Sequence, residues 1–272
     1  MRFRHLSEQI YLRPWFITPE AHASIRVVFE RAMQSQAGIM DEMIADIPKR
    51  KPMAFDVETG IASIHIFGPL GKGLSNMEQA CGATGFEQIR ADYSDALKAG
   101  AKGILLEVDS PGGTVVGTPE IADLVASKPV PTVAYTEDMM ASAAYYIASG
   151  SDAIVASQSA LVGSIGVYIP WMDRSAQYAE AGIKPDPIVN AGGDLKAMGF
   201  GGALTPAQRA HLQEAVDNDF AAFKSHVTTY RALPDSAMRG QVLNGRESIA
   251  ALLVDELGNM ETAKAQLLKR IR

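Results

Sequence analysis

Gly103-Ile104-Leu105-Leu106-Glu107-Val108, running into Asp109-Ser110-Pro111-Gly112-Gly113, is the stretch on which the fold turns. A short apolar run closed by Pro and Gly reads as a buried strand, the kind a parallel sheet covered on both faces requires. Glycines in the turn after it let the backbone adopt positive φ and come close to a ligand. Exposed N–H groups there could hold an oxyanion if aimed at a reacting carbonyl. Alone, Ser-Pro-Gly-Gly is weak evidence, because a strand-to-helix connection without a ligand has the same sequence.

Outward from this stretch, strands and helices alternate. Strands are expected at Ile61–Phe67, Pro131–Tyr135, Ala153–Ala156 and Leu161–Ile169, the last interrupted by Gly163 and Gly166. Thr84 and Glu87 have capping-box spacing for a helix ending at Gly100. Pro119–Ser127 and Ala141–Ala148 read as helices, and Thr205-Pro206 opens a long one reaching about Arg231. Alternation of this kind predicts an α/β domain with right-handed crossovers and mainly parallel pairing. Sites in such folds lie where strand ends meet glycine-rich turns. Residues 1–50 read as an N-terminal helical extension: Thr18-Pro19-Glu20 starts a helix that should run to about Gln36 and stop at Gly38. Lys49-Arg50-Lys51-Pro52 marks the boundary, leaving 51–272 as the main domain.

The bulk composition narrows the function. The chain has 272 residues, 47% hydrophobic and 21% charged, with net charge −6. That is ordinary for a globular protein and carries no polybasic signature for nucleic acid or an anionic membrane. Cys81 is the sole cysteine, which excludes an intrachain disulfide and a thiolate metal cluster and points to a reducing compartment. It sits in a Gly-rich stretch and reads as a passive thiol. No run approaches the ~18 continuous apolar residues of a membrane span. Arg2, Arg4 and His5 mimic a signal-peptide start, but Glu8, Gln9 and Arg13 interrupt any apolar core. An unexported, unanchored protein is expected.

Three segments could carry chemistry. In Met139-Met140-Ala141-Ser142-Ala143-Ala144-Tyr145-Tyr146, a serine opens a short helix among small residues. It is either a nucleophile that a substrate backbone can approach or a helix cap. A serine hydroxyl needs a base, yet His5, His22, His65, His211 and His226 all lie outside small-residue or Gly-rich motifs. Lysine is the alternative base, and it must be neutral, which burial in an apolar pocket favours. Lys196 lies in the Gly-rich Asn190–Phe200 loop beside Leu195, Ala197, Met198 and Phe200. From its residues alone it reads as an ordinary solvated lysine on a loop. In Val162-Gly163-Ser164-Ile165-Gly166-Val167, Ser164 could orient a lysine amine or satisfy local backbone groups.

Taken together and in order, these segments resemble the signal peptide peptidase A family of serine–lysine peptidases over nearly the whole chain. The resemblance rests on Asp109–Gly113, Ala141–Ala148, Gly163–Val167, Lys196, Asn244-Gly245-Arg246 and Leu253-Val254-Asp255. Leu12-Arg13-Pro14-Trp15-Phe16-Ile17-Thr18-Pro19-Glu20 further resembles the opening of phage and prophage head-maturation (capsid assembly) members, which lack a membrane anchor. The resemblance implies a crotonase-like/Clp-protease-like α/β superfold built of repeated β-α units. It implies Ser142 as nucleophile, Lys196 as general base and Ser164 as its orienting residue. Backbone N–H groups of Gly112 or Gly113, and of Ala143, would form the oxyanion hole, with no metal or organic cofactor. The implied substrate is a polypeptide such as a capsid, portal or scaffold protein. The implied assembly is a homo-oligomer in the bacterial cytoplasm or a phage procapsid.

The sequence departs from the family in places. Ser142-Ala143-Ala144-Tyr145 stands where many cellular members have Ser-Gly-Gly-Tyr, and Leu252 stands where glycine usually precedes Leu-Val-Asp. The segment after the long helix is short, so no fused scaffold is expected. Two other readings remain at this level: a crotonase-type acyl-CoA enzyme, and a non-catalytic phage shell assembly protein.

Overall fold

The strand read at 103–108 lies within a six-stranded sheet. The structure is a computed structural model that describes residues 13–34, 50–198 and 202–271. The elements begin with β1 (Trp15–Ile17), α1 (Pro19–Gln34), β2 (Ala54–Asp56), β3 (Ile61–Phe67), β4 (Leu70–Gly71), α2 (Asn76–Ala80), β5 (Thr84–Gly85) and α3 (Phe86–Lys98). They continue with β6 (Gly103–Asp109), β7 (Gly112–Thr114), α4 (Thr118–Ala126), β8 (Thr132–Thr136), β9 (Met139–Ala141), α5 (Ala143–Ser149), β10 (Ala153–Ala156) and β11 (Leu161–Gly163). Last come α6 (Ser175–Glu180), a 3-10 turn (Asp194–Ala197), α7 (Pro206–Tyr230), β12 (Val242–Asn244), α8 (Gly245–Ala250), β13 (Glu256–Leu257) and α9 (Met260–Ile271).

These elements fall into two compact units. The larger holds residues 16–166 and 223–272, the smaller 1–15 and 167–222. In the larger, the main sheet runs β13-β10-β8-β6-β3-β2. Every pairing in it is parallel except β2 with β3. Burial explains why β6 reads as a continuous apolar run, since both its faces are covered. One face packs Ile61, Leu105, Val133 and Val155 against Ala263 and Leu267 of α9. Each such fully buried aliphatic contributes roughly 1.5–3 kcal/mol. On the other side α3 presents Phe86, Ile89, Tyr93 and Ala96 at helical spacing, all buried. Two smaller sheets, β1-β7-β4-β5 and β12-β11-β9, complete the strands.

Several boundaries differ from the sequence reading for identifiable reasons. The N-cap of α3 is Gly85, with Gln88 reaching back to its N–H at 3.1 Å, so the capping box sits one residue later than Thr84 and Glu87. Thr84 instead donates its hydroxyl to Phe67 O at 2.6 Å. The strand expected over 161–169 ends at Gly163, because Gly163 and Ser164 have φ +118° and +53°. The helix expected from Ala141 begins at Ala143, and Ala141 closes β9. The stop expected at Gly38 lies outside the described residues, as do Leu12, Gly199 and Phe200.

Leu253-Val254-Asp255 has a structural task in the larger unit. Leu253 O accepts the buried hydroxyl of Tyr145 at 3.0 Å. Asp255 pairs with the guanidinium of Arg231, which is 8% exposed and also donates to Ser149 O and Ser151 O. The motif thus ties the chain end to α5, the helix that follows Ser142. Leu252 terminates α8 at φ +63°, with Leu252 N–H to Ile249 O and Leu253 N–H to Ser248 O. Those two bonds are the Schellman pattern, and they require the left-handed conformation that glycine adopts without strain.

Candidate active site

Ser142 sits between β9 and α5 with φ +53° and ψ −116°. This is a strained conformation for a residue with a side chain. A sharp strand-to-helix turn of this type holds a nucleophile clear of both elements. The side chain makes no capping bond. The helix-cap alternative therefore fails on geometry. Ser142 is fully buried, and Oγ has no hydrogen-bond partner among the described residues. A buried hydroxyl left in this state costs stability, and such costs concentrate at functional sites.

Register brings Ser164 alongside. β9 and β11 pair in parallel with Ala141 opposite Gly163, so the next residue on each strand is a serine. Ser142 N–H donates to Gly163 O at 2.8 Å, and Ser164 N–H donates to Gln241 O at 2.8 Å. Ser164 is 5% exposed and also has φ +53°.

The glycine turn meets the same place from β6. Gly112 has φ +105°, and a Cβ there would lie 2.9 Å from Ser142 Cβ, 3.0 Å from Ala143 N and 2.1 Å from Phe16 O. Only a glycine lets the turn approach the serine this closely. A Cβ on Gly113 would lie 2.0 Å from Leu70 O. Gly112 N–H is engaged by Ser110 Oγ at 3.2 Å. Ala143 is the first helical residue of α5, where backbone N–H groups lack intrahelical acceptors. Sequence reasoning missed the contribution of the N-terminal stretch: Phe16 and Ile17 are buried, and Thr18 N–H donates to Pro111 O at 3.0 Å. The apolar Trp-Phe-Ile run was the available signal.

Lys196 belongs to the smaller unit. It lies on the 3-10 turn Asp194–Ala197, which Gln208 at the start of α7 ties down by donating to Asp194 O at 2.8 Å. The expected apolar setting is only partly present, since Lys196 and Leu195 are both exposed. Two of the histidines have structural contacts. His65 Nε2 meets Glu107 at 2.6 Å, and His226 stacks on Tyr146 with ring centroids 4.3 Å apart. Burial, then Glu78, pushes the Cys81 thiol up, which fits a passive cysteine. Burial raises Asp109 as well, helped by Asp138 and Glu137. Among the described residues no group of three or more His, Cys, Asp or Glu could hold a metal ion. Nor is any described helix long and apolar enough to cross a membrane.

Comparison with known proteins follows the same segments. The model of peptidase family S49 matches residues 124–271, a span that contains Ser142, Ser164 and Lys196. Head-tail preconnector protein GP5 of Enterobacteria phage P21 is 30% identical over 270 residues, covering 95% of this chain and 54% of its own length. Capsid assembly protease C of Escherichia phage lambda is 31% identical over 223 residues, covering 79% and 50%. A putative signal peptide peptidase SppA of Enterococcus faecium is 31% identical over 175 residues, covering 62% and 51%. The chain spans about half the length of these curated relatives. Among solved structures, a mutant of the 1510-N membrane-bound stomatin-specific protease in complex with a substrate peptide is 15% identical at TM-score 0.39, covering 76% of this chain and 78% of that one. The ClpP protease catalytic domain from Plasmodium falciparum is 10% identical at TM-score 0.41, covering 73% and 86%. With its second half matched by the family model, the chain belongs to peptidase family S49.

Proposed function

We propose that the chain is a serine endopeptidase with Ser142 as nucleophile and Lys196 as general base. The observation that carries this reading is the strained elbow at Ser142, with its buried, unpartnered hydroxyl beside a glycine turn. Oγ attacks the scissile carbonyl and its proton passes to the neutral lysine amine. The carbonyl oxygen becomes an oxyanion, met by Ala143 N–H and by Gly113 N–H of the glycine turn, while Gly112 N–H stays on Ser110 Oγ. Collapse breaks the C–N bond, the lysine returns the proton to the leaving amine, and water then releases the acyl group by the reverse sequence.

A lysine acts as base once its ammonium is desolvated. The proposal therefore asks that the Lys196 turn be covered in the working enzyme. Ser164 orients the amine, a role supported by its register beside Ser142. In this reading residues 51–272 form the peptidase domain, residues 1–50 its extension, and the protein works as a homo-oligomer in the cytoplasm or a procapsid. The names of the phage relatives support a capsid-related polypeptide substrate.

The test is labelling of the purified protein with a serine-directed phosphonate, mapped by mass spectrometry. The expected adduct is on Ser142, lost in both Ser142→Ala and Lys196→Ala. A folded wild type that stays unlabelled would favour a shell-assembly role without catalysis, and an adduct on another serine would reassign the nucleophile.

A further inference from the structure

Ser110 is fully buried, and all its polar groups have partners. Its hydroxyl donates to Gly68 O at 2.7 Å and accepts Gly112 N–H at 3.2 Å. Its backbone N–H donates to Met139 O at 2.8 Å, and its carbonyl accepts Ala141 N–H at 3.1 Å. These bonds join three pieces of chain. One is the bend at Gly68, the second is the glycine turn, and the third is β9, whose next residue is Ser142.

Gly112 at φ +105° has no side chain to lock it. Yet the turn lies so close to Ser142 that a single Cβ would not fit between them. Oxyanion donors act only when held within tenths of an ångström of where charge develops, and a shift of about 1 Å can cost about 100-fold in rate. Something must therefore hold this turn against β9, and Ser110 bonds to both.

We propose that Ser110 is a positioning residue: without touching substrate, it fixes the Gly112-Gly113 turn relative to Ser142. The inference rests on the reading of Ser142 as nucleophile. Removing Oγ takes a partner from the part-buried Gly68 O, leaves Gly112 N–H buried without its acceptor and frees the Gly112 peptide to rotate. The oxyanion is then met by donors that are no longer fixed.

The test compares Ser110→Ala with Ser149→Ala. Ser149 is equally buried, and its hydroxyl donates to Tyr146 O at 2.7 Å at the far end of α5. Both variants lose one buried hydroxyl, so both should unfold at a lower temperature. Phosphonate inactivation is resolved into a binding constant and a maximal rate. The expected result for Ser110→Ala is a maximal rate about 10- to 100-fold lower with binding unchanged. For Ser149→Ala the rate should stay within about twofold of wild type. Folded Ser110→Ala that labels Ser142 at the wild-type rate would overturn the proposal. If that variant does not fold, Ser110→Cys keeps a weaker donor and acceptor in place. It should then slow labelling part-way, and a wild-type rate would again overturn the proposal. A wild type that is itself unlabelled at Ser142 removes the nucleophile reading and this inference with it. That failure is distinct, because it precedes any variant.

Discussion

Gly112→Ala is the substitution for which the structure gives the sharpest expectation. The new Cβ would sit 2.1 Å from Phe16 O, 2.9 Å from Ser142 Cβ and 3.0 Å from Ala143 N. The first contact is to backbone, so a rotamer change cannot relieve it. Either β1 or the glycine turn itself must move. Overpacking of this kind costs about 1–3 kcal/mol, and forcing an L-residue to positive φ adds about 1–2 kcal/mol. The sum is roughly 2–5 kcal/mol. Gly73→Ala is the internal control: it has φ +64° but nothing within 4 Å of its added Cβ. It should cost only the backbone term, about 1–2 kcal/mol. Both variants gain the same small benefit from a stiffer unfolded chain, so the difference isolates the contact. For a domain of this size, 1 kcal/mol moves the unfolding midpoint by about 2–4 °C. Gly112→Ala should therefore melt roughly 2–12 °C below Gly73→Ala. It should also label Ser142 at least about tenfold more slowly than wild type. Equal midpoints and equal labelling for the two variants would refute the argument that the glycine is needed for close approach to the serine.

Leu252→Gly should stabilise the protein by about 0.5–1 kcal/mol, read from a denaturant midpoint, because it relieves a left-handed leucine that is 53% exposed. The hydrogen bond from His65, opposed by burial, holds the Glu107 carboxyl below its usual range. A depressed carboxylate stabilises the fold above its unfolded value of about 4.3, and that contribution is lost as pH falls through the lower folded value. Glu107→Gln should therefore flatten the acid limb of a stability-against-pH profile below about pH 4.3.

The chain yielded its fold where physical signals are local. Ala153–Ala156 and Ile61–Phe67 were legible as strands to the residue, because apolar runs bounded by turn formers have few alternatives. The start of α7 at Thr205-Pro206 was legible too. Thr205 and Gln208 form the reciprocal cap, with Gln208 N–H to Thr205 Oγ1 at 3.2 Å. What stayed hidden depends on dihedrals and on partners remote in sequence. In Met139–Tyr146 the helix was legible but the strand β9 before it was not, because the break between them is a single residue at positive φ, with Ser142 N–H held by Gly163 O. The substitution of leucine for glycine at 252 was visible as a departure, but only the Schellman bonds reveal that the turn survived it. For the candidate site, residue types were readable and the Ser142–Ser164 register was not, since pairing of β9 with β11 is a property of the sheet.

That register has a consequence for how the protein can vary. Ser142 and Ser164 are separated by a helix and two strands, yet their spacing is set by one ladder step, Ala141 opposite Gly163. The turn at Ser157 and Gln158 between β10 and β11 does not itself set that step, although Ser157 bonds to Thr136 O and Glu137 O. A slip by one residue in β11 would turn the Ser164 side chain to the opposite face of the sheet without changing the composition. Whether the two serines stay aligned is thus decided by the pairing of β9 with β11 and not by the number of residues between them.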